Sequence, residues 1–197
     1  MILEQTVSRE TLERISNYTS LLIKWNRVIN LISNSTIKNL NNRHIEDSIQ
    51  IQNYIQDKSS KIIDLGSGAG FPGGVLSLIG FQNVTLIESD SRKAAFLKQV
   101  VSLVPSKCKL LIVNERVEKI KNLHCDFLVS RAFADLNDIF EYSKNIKVAN
   151  KYLLHKGENY QQEVQSAQKD WLFDLRIHDS LTSSKGKILE INNVKPK

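Results

Sequence analysis

The pattern of apolar and polar positions separates a helical N-terminal segment from the rest of the chain. Over residues 8–30, apolar residues recur at spacings of three and four, which is typical of a helix with one buried face. Ser8 suits the N-cap of this helix, and Glu10 suits its first turn. A second helical segment is predicted from about residue 43 to residue 54, so we expect residues 1–60 to form a helical cap.

From residue 61 onward, strand-like and helix-like patterns alternate, which predicts a mainly parallel sheet covered on both faces. The predicted strands are 61–65, 83–88, 109–114, 126–131 and 151–155, and the predicted helices are 72–80, 91–103, 116–122, 135–147 and 158–169. Two further strand-like runs, 171–177 and 187–191, flank a turn rich in Thr and Ser, which indicates a hairpin. We therefore expect an α/β, Rossmann-like domain over residues 61–197, with seven strands and a C-terminal antiparallel hairpin, forming one structural unit with the cap.

Composition narrows the class of protein. The 197 residues are 41% hydrophobic and 24% charged, which is ordinary for a globular protein. No apolar run is long enough to span a bilayer, and residues 1–5 lack the pattern of a secretory leader, so we expect a cytoplasmic protein. The two cysteines and four histidines show no metal-ligand spacing, and no metal site is predicted.

The net charge of +6 permits a nucleic-acid partner without establishing one. Residues 1–60 contribute +1, residues 61–130 contribute +3 and residues 131–197 contribute +2, so the excess is spread along the chain. Because no basic tail or cluster is visible, charge alone leaves the partner open.

The most informative stretch follows the first predicted strand, where glycines alternate after an acid: Asp64-x-Gly66-x-Gly68-x-Gly70, then Phe71-Pro72. Glycine permits positive φ and lets a ligand approach the backbone, so this turn is a candidate cofactor cradle. The spacing resembles the first motif of Rossmann-like methyltransferases that use S-adenosylmethionine. The glycines at 68, 70 and 73 also satisfy a dinucleotide-binding pattern, but they lie farther from the strand end, and the C-terminal hairpin is also typical of the methyltransferases.

Ligands of open parallel sheets bind beyond the carboxyl ends of the strands, so the strand ends supply further candidates. Glu88 ends the second strand and is favoured over Asp90 to accept hydrogen bonds from the ribose hydroxyls of an adenosine cofactor. Val117 and Glu118 follow the third strand, where they either frame an adenine or begin a solvated helix.

The fourth strand end, Ser130-Arg131-Ala132-Phe133-Ala134, restricts the reaction by what it lacks. It has neither the Asn/Asp-Pro-Pro-aromatic motif of amino-group methyltransferases nor the cysteine nucleophile of pyrimidine C5 methyltransferases. Ser130 and Arg131, the predicted catalytic residues, suit an acceptor with a free lone pair, such as a ring nitrogen, because no proton must then be removed. Arg131 either positions such a substrate or forms a surface ion pair, and Phe133 either stacks on a base or packs.

Several segments together resemble the bacterial 16S ribosomal RNA guanine-N7 methyltransferases, the glucose-inhibited division protein B family. The matching segments, in the order of the family, are Lys24-Trp25-Asn26-x-x-x-Asn30-Leu31, Arg43-His44-Ile45-x-Asp47-Ser48, the glycine loop from Asp64 to Gly73, Arg116-Val117-Glu118 and Ser130-Arg131-Ala132-Phe133-Ala134. His155, which precedes Lys156-Gly157, departs from the apolar residue common in the family.

The resemblance implies N7-methylguanosine in the 530 loop of 16S rRNA as the product and S-adenosylmethionine as the cofactor. Candidate cofactor contacts are Asp64, Gly66, Gly68, Gly70, Phe71, Glu88, Val117, Glu118 and Arg131. Candidate RNA contacts are Lys24, Arg27, Arg43 and His44 of the cap and Lys156 at the fifth strand end. The implied partner is the small ribosomal subunit, and we expect a monomer.

Two alternatives from other classes stay open at this point. A non-catalytic RNA-binding or ribosome-assembly factor on the same fold predicts RNA binding without methyl transfer. A dinucleotide-dependent oxidoreductase predicts binding of NAD and indifference to S-adenosylmethionine.

Overall fold

The computed structural model describes residues 7–197, so the first six residues of the predicted cap, including those inspected for a secretory leader, lie outside it. The first helix, α1, spans Arg9–Asn26, and the Ser8 hydroxyl caps it by accepting a hydrogen bond from the Thr11 amide at 3.4 Å. The helix ends four residues earlier than predicted. The Asn26 side chain accepts hydrogen bonds from the amides of Leu31 and Ile32, at 2.8 and 2.9 Å, and so closes a turn there.

The rest of the cap is a run of short helical segments rather than one helix. It consists of a 3-10 segment at Asn34–Asn39, a π segment at Asn41–Glu46, the short helix α2 at Asp47–Ile49 and a 3-10 segment at Gln50–Tyr54. Ile45, Ile49 and Ile51 are fully buried in a hydrophobic cluster that also contains side chains of the sheet. The cap therefore shares a core with the α/β part of the chain.

Seven strands form a single sheet, as the sequence predicts. Their bounds are β1 Lys61–Leu65, β2 Asn83–Ile87, β3 Lys109–Val113, β4 Leu123–Arg131, β5 Ile146–Lys156, β6 Trp171–Asp179 and β7 Lys187–Pro196. In space the order is β3-β2-β1-β4-β5-β7-β6. The first five strands pair in parallel, whereas β7 pairs antiparallel with both β5 and β6.

Helices cover both faces of this sheet and create two hydrophobic clusters. The remaining helices are α3 Gly73–Leu78, α4 Ser91–Val100, α5 Leu136–Ser143 and α6 Tyr160–Asp170. One cluster joins the cap to α3 and α4 around Tyr18 and Phe96, and the other lies under α5 and α6 around Phe140. Because β1 and β4 are adjacent and parallel, their carboxyl ends meet at one edge of the sheet, beside the cap.

The helix predicted at 116–122 is wrong. Only Val117–Lys119 is helical, as a single 3-10 turn; Ile120 is extended and Asn122 has a φ of 60°. Val117 is the only buried residue of that turn, so the segment has no apolar face on which a longer helix would pack. Strands β4 and β5 also begin earlier than predicted, at Leu123 and Ile146.

None of the helices between residues 7 and 197 combines the length and apolar character needed to cross a membrane.

Candidate functional site

The glycine turn after β1 lines an open space and also packs against a neighbouring aromatic ring. Gly66 has a φ of 66°, and a Cβ placed on it would lie 2.1 Å from the ring of Phe133. The amides of Gly66 and Ser67 both donate to the Ile87 carbonyl, at 3.0 and 3.1 Å, which ties the turn to the end of β2. Only glycine meets both demands at position 66, a left-handed backbone and the close approach of a ring.

Asp64 supports this turn from the protein interior. Its side chain is fully buried, and one carboxylate oxygen accepts a hydrogen bond from the Gly73 amide at 2.9 Å. A Cβ on Gly73 would lie within 2.9 Å of the same carboxylate, so the turn closes tightly over it. Burial is the main reason that the pKa of Asp64 rises from 3.8 to about 7. The carboxyl group thus positions the loop from within the core.

Glu88 at the end of β2 faces the glycine turn. Its two carboxylate oxygens accept hydrogen bonds from the amides of Gly68 and Asp90, both at 2.8 Å. Asp90, the competing acid, is used elsewhere: it caps α4 by accepting hydrogen bonds from the amides of Arg92 and Lys93. The geometry therefore favours Glu88, as the sequence does.

A cavity of about 800 Å³ opens between the glycine turn, the strand ends and the cap. It is lined by seven of the nine predicted cofactor residues, namely Gly66, Gly68, Phe71, Glu88, Val117, Glu118 and Arg131. Asp64 and Gly70 do not line it, and direct contact of these two with a cofactor stays a prediction. Leu31 and Ile32 of the cap also line it, so the Asn26 turn contributes a wall. The volume lies within the range of small-molecule sites.

Arg131 extends from the end of β4 across to the cap. One terminal nitrogen donates to the Asp47 carboxylate and to the Arg43 carbonyl, both at 2.9 Å, and the other donates to His44 Nδ1 at 2.5 Å. The guanidinium carbon lies 4.8 Å from the centre of the Phe71 ring. Arg131 is thus held in one orientation by a carboxylate, a carbonyl, an imidazole and an aromatic face.

His44 acts as a neutral acceptor in this arrangement. Burial and the neighbouring Arg131 lower its pKa from 6.5 to about 4. Its Nε2 lies 2.9 Å from the Thr36 hydroxyl, and its ring stacks on Phe71 at a centroid distance of 5.0 Å. With both ring nitrogens engaged, His44 orients Arg131; the predicted contact of His44 with RNA stays a prediction.

Asp47 joins three separate parts of the chain. Besides Arg131, its carboxylate accepts hydrogen bonds from Gln50 of the cap at 2.8 Å and from Thr182, in the β6–β7 loop, at 2.6 Å. His155 of β5 donates through Nε2 to the Asp47 carbonyl at 2.7 Å. Thr182, His155 and Arg131 together lower the pKa of Asp47 against the effect of its burial, so the carboxylate stays charged opposite Arg131.

Ser130 lines neither cavity. Its hydroxyl is buried and donates to the Leu65 carbonyl at 2.9 Å, joining β4 to the start of the glycine turn. The group therefore fixes the two strand ends relative to each other, and a direct catalytic contact by Ser130 stays a prediction.

A second cavity, of about 560 Å³, lies on the other side of Arg131. The residues from Arg131 to Asp135 and His44 line both cavities, so they form a shared wall. The β6–β7 loop supplies the outer side of the second cavity through Ser180, Thr182 and Ser183. Two open spaces separated by one positioned guanidinium suit a reaction between two bound molecules.

The five predicted RNA residues are distributed unequally around this space. Arg43, His44 and Lys156 line the second cavity, whereas Lys24, on α1, and Arg27, directly after it, are exposed and line neither cavity. The Lys156 ammonium group is buried, and it donates to the Ala134 carbonyl at 2.7 Å and to Glu163 at 2.5 Å. Lys156 therefore holds the turn after Arg131 in place.

Three residues that contribute to the candidate site were not identified from the sequence. Tyr18 on α1 is fully buried and its hydroxyl donates to the Ala69 carbonyl at 2.5 Å, inside the glycine turn. Thr182 and Asp135 line the second cavity. Tyr18 belongs to the apolar stripe of α1, where an embedded hydroxyl is a usable signal because a buried tyrosine needs a hydrogen-bond partner. No comparable signal marks the other two.

Comparison with known proteins gives consistent results. The family model described as GidB, rRNA small subunit methyltransferase G, matches residues 11–192. The protein named ribosomal RNA small subunit methyltransferase G in Rickettsia prowazekii is 48% identical over 188 residues, covering 95% of this chain and 97% of the relative. Its counterpart in Orientia tsutsugamushi is 50% identical over 185 residues, covering 94% and 92%.

Solved structures agree on the fold at low sequence identity. Magnesium protoporphyrin IX methyltransferase from Synechocystis, solved with bound S-adenosylmethionine, superposes with a TM-score of 0.62 at 11% identity, covering 94% of this chain and 97% of that one. A ribosomal protein L11 methylase from Lactobacillus delbrueckii gives 0.58 at 12% identity, covering 75% and 76%. These likenesses concern the fold alone.

Proposed function

Because the chain belongs to the rRNA small subunit methyltransferase G family, we propose that it transfers a methyl group from S-adenosylmethionine to guanine N7 in the 530 loop of 16S rRNA. Membership rests on a family model that spans residues 11–192 and on relatives close to half identical over nearly the whole chain. In this proposal the chain acts as a monomer in the cytoplasm, on RNA of the small ribosomal subunit.

The first cavity fits S-adenosylmethionine by its size and its lining. Gly66 and Gly68 both line the cavity, and a Cβ on Gly68 would meet no atom closer than 3.9 Å, so a ligand can approach the backbone there closely. Glu88 offers a buried carboxylate of the kind that accepts hydrogen bonds from ribose hydroxyls, and Val117 and Glu118, which also line the cavity, would flank the adenine. When bound, the cofactor supplies a methyl group attached to a positively charged sulfur. The acceptor's lone pair forms the new bond to this methyl group, and the electron pair of the broken carbon–sulfur bond stays on sulfur.

The observation that carries the proposal is the position of Arg131 between the two cavities. Residues of the first cavity would hold the cofactor and residues of the second would hold the target base, with the wall from Arg131 to Asp135 between them. His44 and Asp47 hold the guanidinium in a fixed orientation. A guanidinium held in this way can keep the methyl donor and the attacking atom aligned, and such alignment supplies much of the rate of an in-line displacement.

A ring nitrogen as acceptor agrees with the titratable groups at this wall. Guanine N7 carries a lone pair at neutral pH, so no proton has to be removed before attack. His44 is neutral but already accepts a hydrogen bond from Arg131, and Asp47 is paired, so neither is free to act as a general base. The chain thus provides positioning and electrostatics, which is what this acceptor needs.

The test is methyl transfer to small ribosomal subunits, and separately to protein-free 16S rRNA, from a strain that lacks this modification. Purified protein is incubated with each substrate and labelled S-adenosylmethionine, and the RNA is digested for nucleoside mass spectrometry. We expect N7-methylguanosine from at least one substrate. Binding of RNA without this nucleoside would instead identify a non-catalytic assembly factor.

A calorimetric titration tests the cofactor independently of RNA. We expect saturable binding of S-adenosylmethionine at one site and no binding of NAD. Binding of NAD with no response to S-adenosylmethionine would favour the oxidoreductase alternative and reject the proposal.

A further inference from the structure

We infer that Asp135 is the residue that recognises the target base as guanine, by accepting hydrogen bonds from its N1–H and 2-amino groups. The inference rests on the proposed function and adds a specificity residue to it. Asp135 directly precedes α5 and lines both cavities. It lies four positions after Arg131, on the wall that the two cavities share.

The Asp135 carboxylate has no partner at the start of α5, where the residue is exposed. An aspartate at this N-cap position normally accepts a hydrogen bond from the second or third amide of its own helix. Here the Asp135 side chain makes no such bond, and Glu163 of α6 accepts a separate hydrogen bond, from the amide of Leu136, at 3.1 Å. The Asp135 carboxylate therefore remains available to a ligand.

The other carboxylates around the second cavity are already committed. Its described lining contains three acids, Asp47, Asp135 and Glu163. Asp47 pairs with Arg131 at 2.9 Å, and Glu163 pairs with Lys156 at 2.5 Å. Within residues 7–197, Asp135 makes neither a side-chain hydrogen bond nor an ion pair, so it is the acid in this cavity with free acceptor capacity.

A carboxylate matches one edge of guanine in particular. The N1–H and 2-amino groups are adjacent donors on one edge, and two carboxylate oxygens accept from both at once. Adenine presents a lone pair at N1, which would face the negative charge, so the same carboxylate disfavours adenine. Gripping this edge leaves N7, on the opposite side of the purine, uncovered for methyl transfer.

The same contact favours the reaction itself. Forming the N7–CH₃ bond places a positive charge on the purine ring and makes the N1–H a stronger hydrogen-bond donor. A hydrogen bond from that group to a carboxylate is therefore stronger in the transition state than in the ground state, which raises kcat as well as affinity. Asp135 would thus contribute to rate in addition to recognition.

The test compares two RNA substrates that differ at the target nucleotide alone. Ligated 16S rRNA carrying guanosine or inosine at that position is assembled into subunits, and kcat/KM for methyl transfer is measured on each. Inosine keeps N7, N1–H and O6 but lacks the 2-amino group. Because a hydrogen bond to a charged group contributes about 10- to 100-fold, we expect the wild type to prefer guanosine by about that factor.

Asp135→Ala and the isosteric Asp135→Asn are then compared with the wild type. We expect each to lose about 10- to 100-fold in kcat/KM on guanosine and to lose most of the preference over inosine. Glu141→Gln, which removes an exposed acid elsewhere on α5, is the matched control and should behave as wild type. Retained affinity for S-adenosylmethionine and an unchanged melting temperature show that the variants are folded.

The outcomes separate this inference from the function on which it rests. Equal wild-type rates on both substrates, or an unchanged preference for guanosine in both Asp135 variants, would overturn the assignment of Asp135 and leave the methyltransferase proposal standing. Absence of N7-methylguanosine with wild-type protein on the guanosine substrate would reject the methyltransferase proposal itself.

Discussion

Replacing Tyr18 with Phe should weaken cofactor binding from a position outside the cofactor cavity. The Tyr18 hydroxyl is fully buried in the cap and donates to the Ala69 carbonyl, inside the glycine turn, at 2.5 Å. Burial raises the pKa of this hydroxyl well above its usual value, so it remains a donor at any working pH. The substitution keeps the ring, its edge-on contact with Phe71 and the packing volume, and it removes the hydrogen bond alone.

The size of the effect follows from the Ala69 carbonyl, which stays buried without a hydrogen-bond donor. A buried carbonyl that loses its donor costs about 1–3 kcal/mol. In a chain of this length each kcal/mol lowers the melting temperature by about 2–4 °C, so a drop of roughly 2–12 °C is expected. If the turn loosens locally, the same free energy appears in cofactor affinity, where every 1.4 kcal/mol weakens binding by about tenfold. We expect both effects together, because the carbonyl belongs to the turn that lines the cavity.

The assay is thermal denaturation of the cofactor-free protein, followed by calorimetric titration with S-adenosylmethionine. Tyr54→Phe serves as the matched control, because the Tyr54 hydroxyl makes no hydrogen bond to the residues between 7 and 197, and its ring packs on His178 at 4.6 Å. A Tyr18→Phe protein with wild-type melting temperature and wild-type Kd would refute the idea that the cap holds the glycine turn in its binding conformation.

Three further changes test the other parts of the site. Arg131→Ala should abolish methyl transfer while leaving the far-UV circular dichroism spectrum intact, and near wild-type activity would remove Arg131 from the reaction. Glu88→Ala should raise the Kd for S-adenosylmethionine by about tenfold or more in calorimetry, because the cavity then loses its ribose acceptor and the Gly68 amide loses its partner. Asp64→Asn should remove a pH dependence of stability. Because the pKa of Asp64 rises from 3.8 to about 7 in the folded protein, ionisation of this group opposes folding. The free energy of unfolding of the wild type should therefore fall by up to about 4 kcal/mol as pH rises through this window. Urea denaturation at pH 5 and pH 8 measures the part of this loss that falls between those pH values, roughly 3 kcal/mol, and identical pH dependence in the two proteins would contradict the argument.

Local signatures explain why the fold and most of the residues that line the first cavity could be identified from the sequence. Strands β1 and β2 are short, mainly apolar runs, and residues that line the first cavity follow directly after them. Gly66 and Glu88 are examples, because one needs a conformation that favours glycine and the other ends a strand at the ligand-binding edge. In both cases the signal lies within a few residues of the position that it identifies.

Residues whose role depends on distant partners could not be assigned in this way. Lys156 resembles a free cation in the sequence, yet Glu163 and the Ala134 carbonyl occupy its ammonium group. Ser130 and Arg131 are neighbours in one strand, and alternation directs the serine to the Leu65 carbonyl and the arginine to the cap. Asp135 stands at the N-cap position of α5, yet its side chain makes no hydrogen bond to that helix, and nothing in its local sequence reveals this.

The partners of Asp47 lie far along the chain, so the site is completed in stages during synthesis. Asp47 is separated from Arg131 by 84 positions and from Thr182 by 135. At ordinary translation rates of about 5–20 residues per second, the ribosome needs roughly 7–27 s to add the residues between Asp47 and Thr182. The last residue that lines the first cavity is Tyr142, so every residue of that cavity has been added before the loop that encloses the second cavity. Each newly made molecule therefore contains the whole lining of the first cavity while the second is still incomplete.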